Sequence, residues 1–138
     1  MFEGAPDWVE LSAVQNYLAS LDAREGNLAA ARAGYVASLS ITRPARFVFR
    51  IATSLNGLAV IAAAERQMAR ALRLAGAGAA LRQRAGYLAP PHERLDLEQA
   101  VEAARSTLGD ADAEANWAAG QSLTLDQAVD EALAETDK

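Results

Sequence analysis

These 138 residues contain no cysteine, one lysine, one histidine and three isoleucines. The lack of thiols excludes disulfides and thiolate metal sites, and it suits a reducing compartment. β-Branched residues favour strands, so their scarcity leaves little material for a sheet. The longest wholly apolar run, Leu58 to Ala64, is far shorter than the roughly 20 residues that a membrane-spanning helix needs. The opening residues Met1 to Asp7 carry Glu3 and Asp7 and no apolar stretch, unlike a signal peptide. The expectation is a cytoplasmic chain without membrane association. A phosphate-cradling Gly-x4-Gly-Lys-Ser/Thr loop is also missing, and no cofactor is expected.

Alanine dominates what is there: 34 Ala stand beside 17 Leu and 7 Val. Ala has the highest helix propensity, and its small side chain lets helices pack closely. The length fits one domain with a real core and not two. The net charge of −5 is uneven, with eight acids and one base from Asp110 onward against twelve Arg and ten acids before it. A dedicated nucleic-acid surface normally shows a clear basic excess, so direct nucleic-acid binding is not expected.

Periodicity and end signals predict seven helices and an all-α fold. The first runs from about Pro6 to Arg24, carries Val14, Leu18 and Leu21 at helical spacing, and stops at Gly26. Asn27 is a suitable N-cap for the second, which buries Leu28, Ala31, Tyr35 and Leu39. Pro44 suits the first position of the third, whose inner face is Phe47, Ile51, Leu55, Leu58 and Ala62. Asn56-Gly57 alone would signal a turn, but this stripe passes through it in phase and no strand pattern flanks it. The fourth helix, about Met68 to Ala85, carries Ala71, Leu74, Gly78 and Leu81, and its Gly76 and Gly78 suit close approach by a neighbour. After a break from Gly86 to Pro91, a fifth helix carries Leu95, Val101, Ala104 and Leu108 and ends at Gly109. A short sixth holds Trp117 and stops near Gly120. Thr124-x-x-Gln127 is a capping-box signature opening a seventh, with Leu125, Val129, Ala132 and Leu133.

The chain also repeats. Asn16-Tyr17-Leu18-Ala19 aligns with Asn56-Gly57-Leu58-Ala59 at a shift of 40, and the same shift carries Ala31 onto Ala71. Two helices per period near 40 is the signature of an α-solenoid, because one helix pair cannot bury both of its apolar faces. The pattern resembles tetratricopeptide repeats: Leu18 and Ala19 match the large and small positions of the first helix, Gly26-Asn27 the turn, and Ala31 and Tyr35 the second helix. The second pair keeps Leu58, Ala59 and Ala71 but has Arg66 at the turn and Ala75 at the aromatic position. Residues about 50–135, above all the run Trp117-Ala118-Ala119-Gly120-Gln121-Ser122-Leu123-Thr124-Leu125-Asp126-Gln127-Ala128-Val129, are similar to the C-terminal helical region of large bacterial LuxR-type regulators and adenylate-cyclase-linked ATPases. The resemblance implies a tetratricopeptide-like solenoid in a single domain, 1–138. Its helix pairs lie at about 6–41 and 44–85, with capping helices at about 91–135. It also implies a non-catalytic sensing or scaffolding arm of a signal-transduction ATPase, whose P-loop module and helix-turn-helix domain this sequence lacks. The alternative is a stand-alone tetratricopeptide adaptor. The partner in either case is a protein or peptide, a flanking domain, or a small effector.

Candidate residues follow from the repeat. Aligning the pairs puts Asn16, Ser20, Thr53, Asn56 and Val60 on the concave face lined by first helices, where Asn can both donate to and accept from a peptide backbone. The other reading of the two Asn is a repeated interhelical hydrogen bond. Arg66, Arg70, Arg73, Arg82 and Arg84 form a basic stripe with no acid between residues 66 and 92, able to hold phosphates or an acidic surface, including the acidic last helix. Arg43, Arg46 and Arg50 form a shorter one. His92 beside Glu93, and the i,i+4 pair Glu98 and Glu102, lack the converging partners that catalysis or a metal needs. Trp8 and Trp117 read as core plugs at helix junctions. No set of acid, base, nucleophile and oxyanion donors can be assembled, which argues against an enzyme.

Overall fold

A computed structural model of the chain describes residues 7–86 and 88–134. The helices are α1 (Asp7–Arg24), α2 (Leu28–Thr42), α3 (Val48–Ala64), α4 (Met68–Ala85), α5 (Pro91–Leu108), α6 (Asp110–Gln121) and α7 (Leu125–Leu133). More than four-fifths of the described residues are helical, and none of them lies in a strand. Pro6, Tyr87 and Glu135, which the sequence places at helix ends or in a break, lie outside the described residues.

Four left-handed residues follow the first four helices at even spacing: Gly26 (φ 84°), Arg46 (φ 54°), Arg66 (φ 66°) and Gly86 (φ 81°). At the first three, the N–H of the following residue reaches back five positions, from Asn27 to the Asp22 carbonyl, Phe47 to Thr42 and Gln67 to Ala62. This is the Schellman closure, which satisfies the carbonyls left over at a helix end. Each closure is followed by a new helix within two residues, so α1 to α4 pack pairwise in chain order. Asn27 precedes α2 as expected, yet its side chain makes no capping bond. Pro44 does not open α3. It lies in the turn that ends at left-handed Arg46, and the helix begins at Val48 behind Phe47.

α3 runs unbroken through Asn56-Gly57. The reason for glycine is packing: a Cβ at Gly57 would collide with the Tyr35 ring laid across it from α2. α4 and α6 approach equally closely. A Cβ at Gly76 would sit 2.5 Å from the Trp117 carbonyl oxygen, and one at Gly120 would overlap the Arg73 backbone. Trp117 is half-buried and packs against both apolar clusters, as a junction plug should. Trp8 meets Phe47 edge-on, with ring centroids 5.6 Å apart.

The core is centred on α3 and α4, which bury Ile51, Leu55, Leu58, Ile61, Leu72, Leu74 and Leu81. α1 behaves differently from its apolar stripe. Val14, Leu18 and Leu21 are exposed, whereas Ser12, Asn16 and Ala19 face inward. That small face lets α1 approach α2 closely at Gly34, where an added Cβ would be 3.0 Å from the Ala19 Cβ. Leu95 and Leu133 are likewise exposed, and Leu97 packs on the core in place of Leu95.

α7 begins with the expected capping box: Gln127 N–H donates to Thr124 Oγ1 at 3.1 Å, and Thr124 N–H donates to Gln127 Oε1 at 2.9 Å. The helix buries Leu125, Ala128, Val129 and Ala132 and packs on α2, α3 and α4.

Candidate binding cleft

The five residues picked by the repeat converge. Asn16 and Ser20 of α1 and Thr53, Asn56 and Val60 of α3 line one open cleft of about 580 Å³. α5 supplies the opposite wall with His92, Glu93, Asp96 and Gln99, and Tyr35 of α2 lies at its edge with Gly57. The first helix of each antiparallel pair therefore faces this space. At one end Arg24 of α1 reaches Asp96 of α5 across 3.3 Å, an exposed bridge between the two walls.

Both Asn residues are buried and both make interhelical bonds. Ser54 Oγ donates to Asn16 Oδ1 at 3.0 Å, tying α3 to α1, and also lies 3.3 Å from Ser38 Oγ of α2. Asn56 Nδ2 donates to Glu93 Oε1 at 3.0 Å, tying α3 to α5. Glu93 also pairs with Arg82 of α4, whose Nη2 donates to Thr53 Oγ1 at 3.2 Å. This places a carboxylate and a guanidinium, each mostly buried, behind the cleft wall. The pair is not fully satisfied, because Arg82 Nε is buried with no hydrogen-bond partner. The Asn side chains keep residual capacity: Asn16 Nδ2 and Asn56 Oδ1 are buried with no hydrogen-bond partner. Asn56 Oδ1 abuts Gly78, where a Cβ would come within 2.5 Å of it.

Two further lining residues, Arg50 of the shorter stripe and the core residue Tyr35, are not placed in the cleft by the sequence. Arg50 lies over the rings of Phe47 and Phe49, 5.3 and 5.7 Å from their centroids, and burial pulls its guanidinium below the usual range. Its stacking on aromatic faces is a cation–π arrangement. Tyr35 is pushed up to about 12, first by burial and then by the nearby Glu93 and Asp96. An i,i+3 Phe47/Arg50 spacing was the only signal for the first. The second needed the knowledge that α5 lines the same cleft as Tyr35.

The basic stripe is not one open surface. Arg66 lies in the left-handed turn before α4, and Arg82 turns to the cleft side and Glu93. Arg70 donates to the carbonyl oxygens of Ala132 and Ala134, Arg73 pairs with Glu131, and Arg84 donates to the Gln121 and Leu123 carbonyls. Two of the five, Arg70 and Arg73, thus meet the last helix as its acidity suggests, whereas Arg84 meets the end of α6 and the turn after it. The rest of α7's acid goes to the shorter stripe, with Asp126 held by Arg43 and Arg46 and Asp130 by Arg43. The two hydrogen-bonding guanidinia hold the Asp126 carboxyl below its ordinary value.

His92 is exposed at the start of α5, and Glu98 and Glu102 lie on that helix's solvent side. Among the described residues, no three His, Cys, Asp or Glu side chains are grouped to hold a metal ion. None of the described helices is long and apolar enough to cross a membrane. No family model, curated protein or solved structure matches the chain.

Proposed function

We propose that this chain is a non-catalytic helical-repeat module that binds a protein segment or a small effector in the α1–α3–α5 cleft. On this reading it is a sensing or scaffolding arm of the tetratricopeptide-like kind, as its likeness to LuxR-type signalling ATPases implies. The observation that carries the reading is the convergence of five residues, chosen by repeat position alone, on one cleft. Its volume falls within the roughly 300–1,000 Å³ of ordinary ligand pockets. The walls mix alanine and aromatic surface with a few buried polar groups, a composition suited to apolar contact with oriented hydrogen bonding. Asn16 Nδ2, buried in the wall without a hydrogen-bond partner, can donate to a peptide or effector carbonyl once the wall shifts to uncover it.

The mechanism follows from the placement of the walls. α1 and α5 belong to different parts of the chain and meet across the cleft through the exposed Arg24–Asp96 pair. A ligand that prefers one spacing of these helices shifts the population toward it by its differential affinity. Anything joined to either end of the module then moves with it.

The test is a screen of the purified chain against peptide and metabolite panels, followed by two variants. Ser20→Trp fills the cleft from the half-buried wall of α1 and is expected to abolish binding with melting unchanged. Asn56→Ala is expected to weaken binding and to lower stability by about 1–3 kcal/mol, the usual cost of stranding a buried partner. Ligands that bind Ser20→Trp as they bind the parent chain sink the cleft reading. A large loss of stability in Asn56→Ala with binding intact assigns the Asn pair to architecture alone.

A further inference from the structure

The outward side of α1 is the least satisfied surface of the fold. Leu11, Val14, Leu18 and Leu21 are 49, 51, 52 and 36% exposed, and their 3-4-3 spacing makes one stripe about three turns long. Scattered exposed leucines are ordinary, whereas a contiguous stripe on one helix is an interaction surface. The repeat gives an independent reason to expect a cover. Forty residues on, the same positions are Ile51, Ser54, Leu58 and Ile61, and all four are buried among neighbouring helices.

Charge selects the occupant. Asp7 and Glu10 stand at one end of the stripe, and Asp22 and Glu25 at the other. At about 100° per residue, Asp7 and Glu25 continue the stripe in line, while Glu10 and Asp22 flank it within about 60°. None of the four is in an ion pair among the described residues. The one basic residue of α1, Arg24, points away from the stripe and is paired with Asp96. A second copy of the chain would set acid against acid: in antiparallel order Asp7 meets Glu25, and in parallel order each acid meets itself.

We infer that this face of α1 docks an amphipathic helix carrying an apolar stripe with basic residues in its first and last turns. The partner's aliphatic side chains cover the leucines, as helices cover the equivalent positions of α3. Its cations answer the unpaired carboxylates at the two ends, setting register and weakening with salt. This surface is separate from the cleft, whose α1 lining is Ala13, Asn16, Tyr17, Ser20, Ala23 and Arg24.

The test uses an 18-residue amidated helical peptide with leucines at 3-4-3 spacing and Lys and Arg in the end turns, labelled for fluorescence anisotropy. Saturable binding is expected, and a matched peptide with Glu in place of Lys and Arg should bind at least about tenfold more weakly. Leu18→Glu is expected to lower affinity at least about tenfold without shifting the melting temperature, since the side chain is exposed. Glu10→Lys combined with Asp22→Lys, which sets two lysines against the remaining Asp7 and Glu25, is expected to abolish the preference between the peptides. Ser20→Trp should leave this binding untouched, which separates its outcome from that of the cleft. Equal binding of the two peptides by the parent chain, or indifference to Leu18→Glu, overturns the inference. So does a dimer in sedimentation that Leu18→Glu dissolves, because the occupant is then a second copy.

Discussion

The α1–α2 and α3–α4 pairs are built on one pattern and buried to opposite degrees. Their turns close alike at Gly26 and Arg66, with matching hydrogen bonds one repeat apart. Asn16 and Asn56, Ala19 and Ala59, and Ala31 and Ala71 are buried in both pairs. Yet Leu18 is half in solvent and Leu58 is covered. The difference is one of neighbours. α3 packs against α1, α2, α4, α5 and α7, whereas the strong contacts of α1 are with α2 and α3. A repeat thus specifies local geometry and the small inward face, and the number of flanking helices decides whether the large residues are buried. The pairs also differ where Tyr35 is matched by Ala75. The first pair fills that space with a ring over Gly57. The second keeps it small, and beside it, at Gly76, α6 crosses in backbone contact.

The largest expected effect tests that contrast directly. Leu58→Ala should destabilise the chain by about 2–5 kcal/mol, the usual cost of truncating a buried leucine. Leu18→Ala, at the equivalent position, should change stability by no more than about 0.5 kcal/mol, as exposed substitutions do. Urea unfolding of both variants measures the pair. Similar losses would mean that α1 is covered in solution, and the contrast between the pairs would fail.

This contrast also marks how far the sequence could be read. Helix existence was legible because Ala excess and 3.6-residue periodicity run nearly unbroken, and the α7 capping box was written out in Thr124 and Gln127. Passage through Asn56-Gly57 was legible because the stripe kept its phase. The cleft residues were legible because repeat position transfers between pairs. The inward face of α1 was not, since the Leu stripe outranks Ser12, Asn16 and Ala19 in hydrophobicity and only the tight approach at Gly34 favours the small face. The start of α3 was hidden because Arg46, not a glycine, takes the left-handed position, so Pro44 drew the boundary too early. Arg82 gave no hint of leaving its stripe, because its partner Glu93 lies beyond a helix break.

A smaller effect separates the aromatic position of the first pair from Ala75 of the second. Tyr35 ionises near 10 when unfolded and is pushed up to about 12 in the folded chain, chiefly by burial. Below pH 10 the phenol is protonated in both states and its contribution is complete. Between 10 and 12 the unfolded state gives up the proton first, so stability falls as pH rises, by about 2–3 kcal/mol in all. Tyr35→Phe should remove this share of the alkaline loss while leaving stability at pH 8 nearly unchanged. Denaturation midpoints at pH 8 and 11.5 decide it, and parallel losses in the two proteins would place the alkaline sensitivity elsewhere.

The smallest effect sharpens the equivalence of the turns. Gly26 and Arg66 hold the same left-handed conformation at φ 84° and 66°, but only glycine does so without a steric cost. An L-residue there costs roughly 1–2 kcal/mol, and glycine offsets part of its advantage through the greater freedom it loses on folding, roughly 0.5–1 kcal/mol. Arg66 is exposed and in no ion pair among the described residues, so little else is lost when it is replaced. Arg66→Gly should therefore stabilise by up to about 1 kcal/mol, and Gly26→Arg should destabilise by a similar amount. The double exchange should come close to the parent chain where the two effects add, and a departure from additivity would show the turns coupled through the Arg32–Glu65 pair that lies between them. If Arg66→Gly destabilises instead, the arginine side chain contributes something that Gly26 lacks, and the two turns are equivalent in backbone alone.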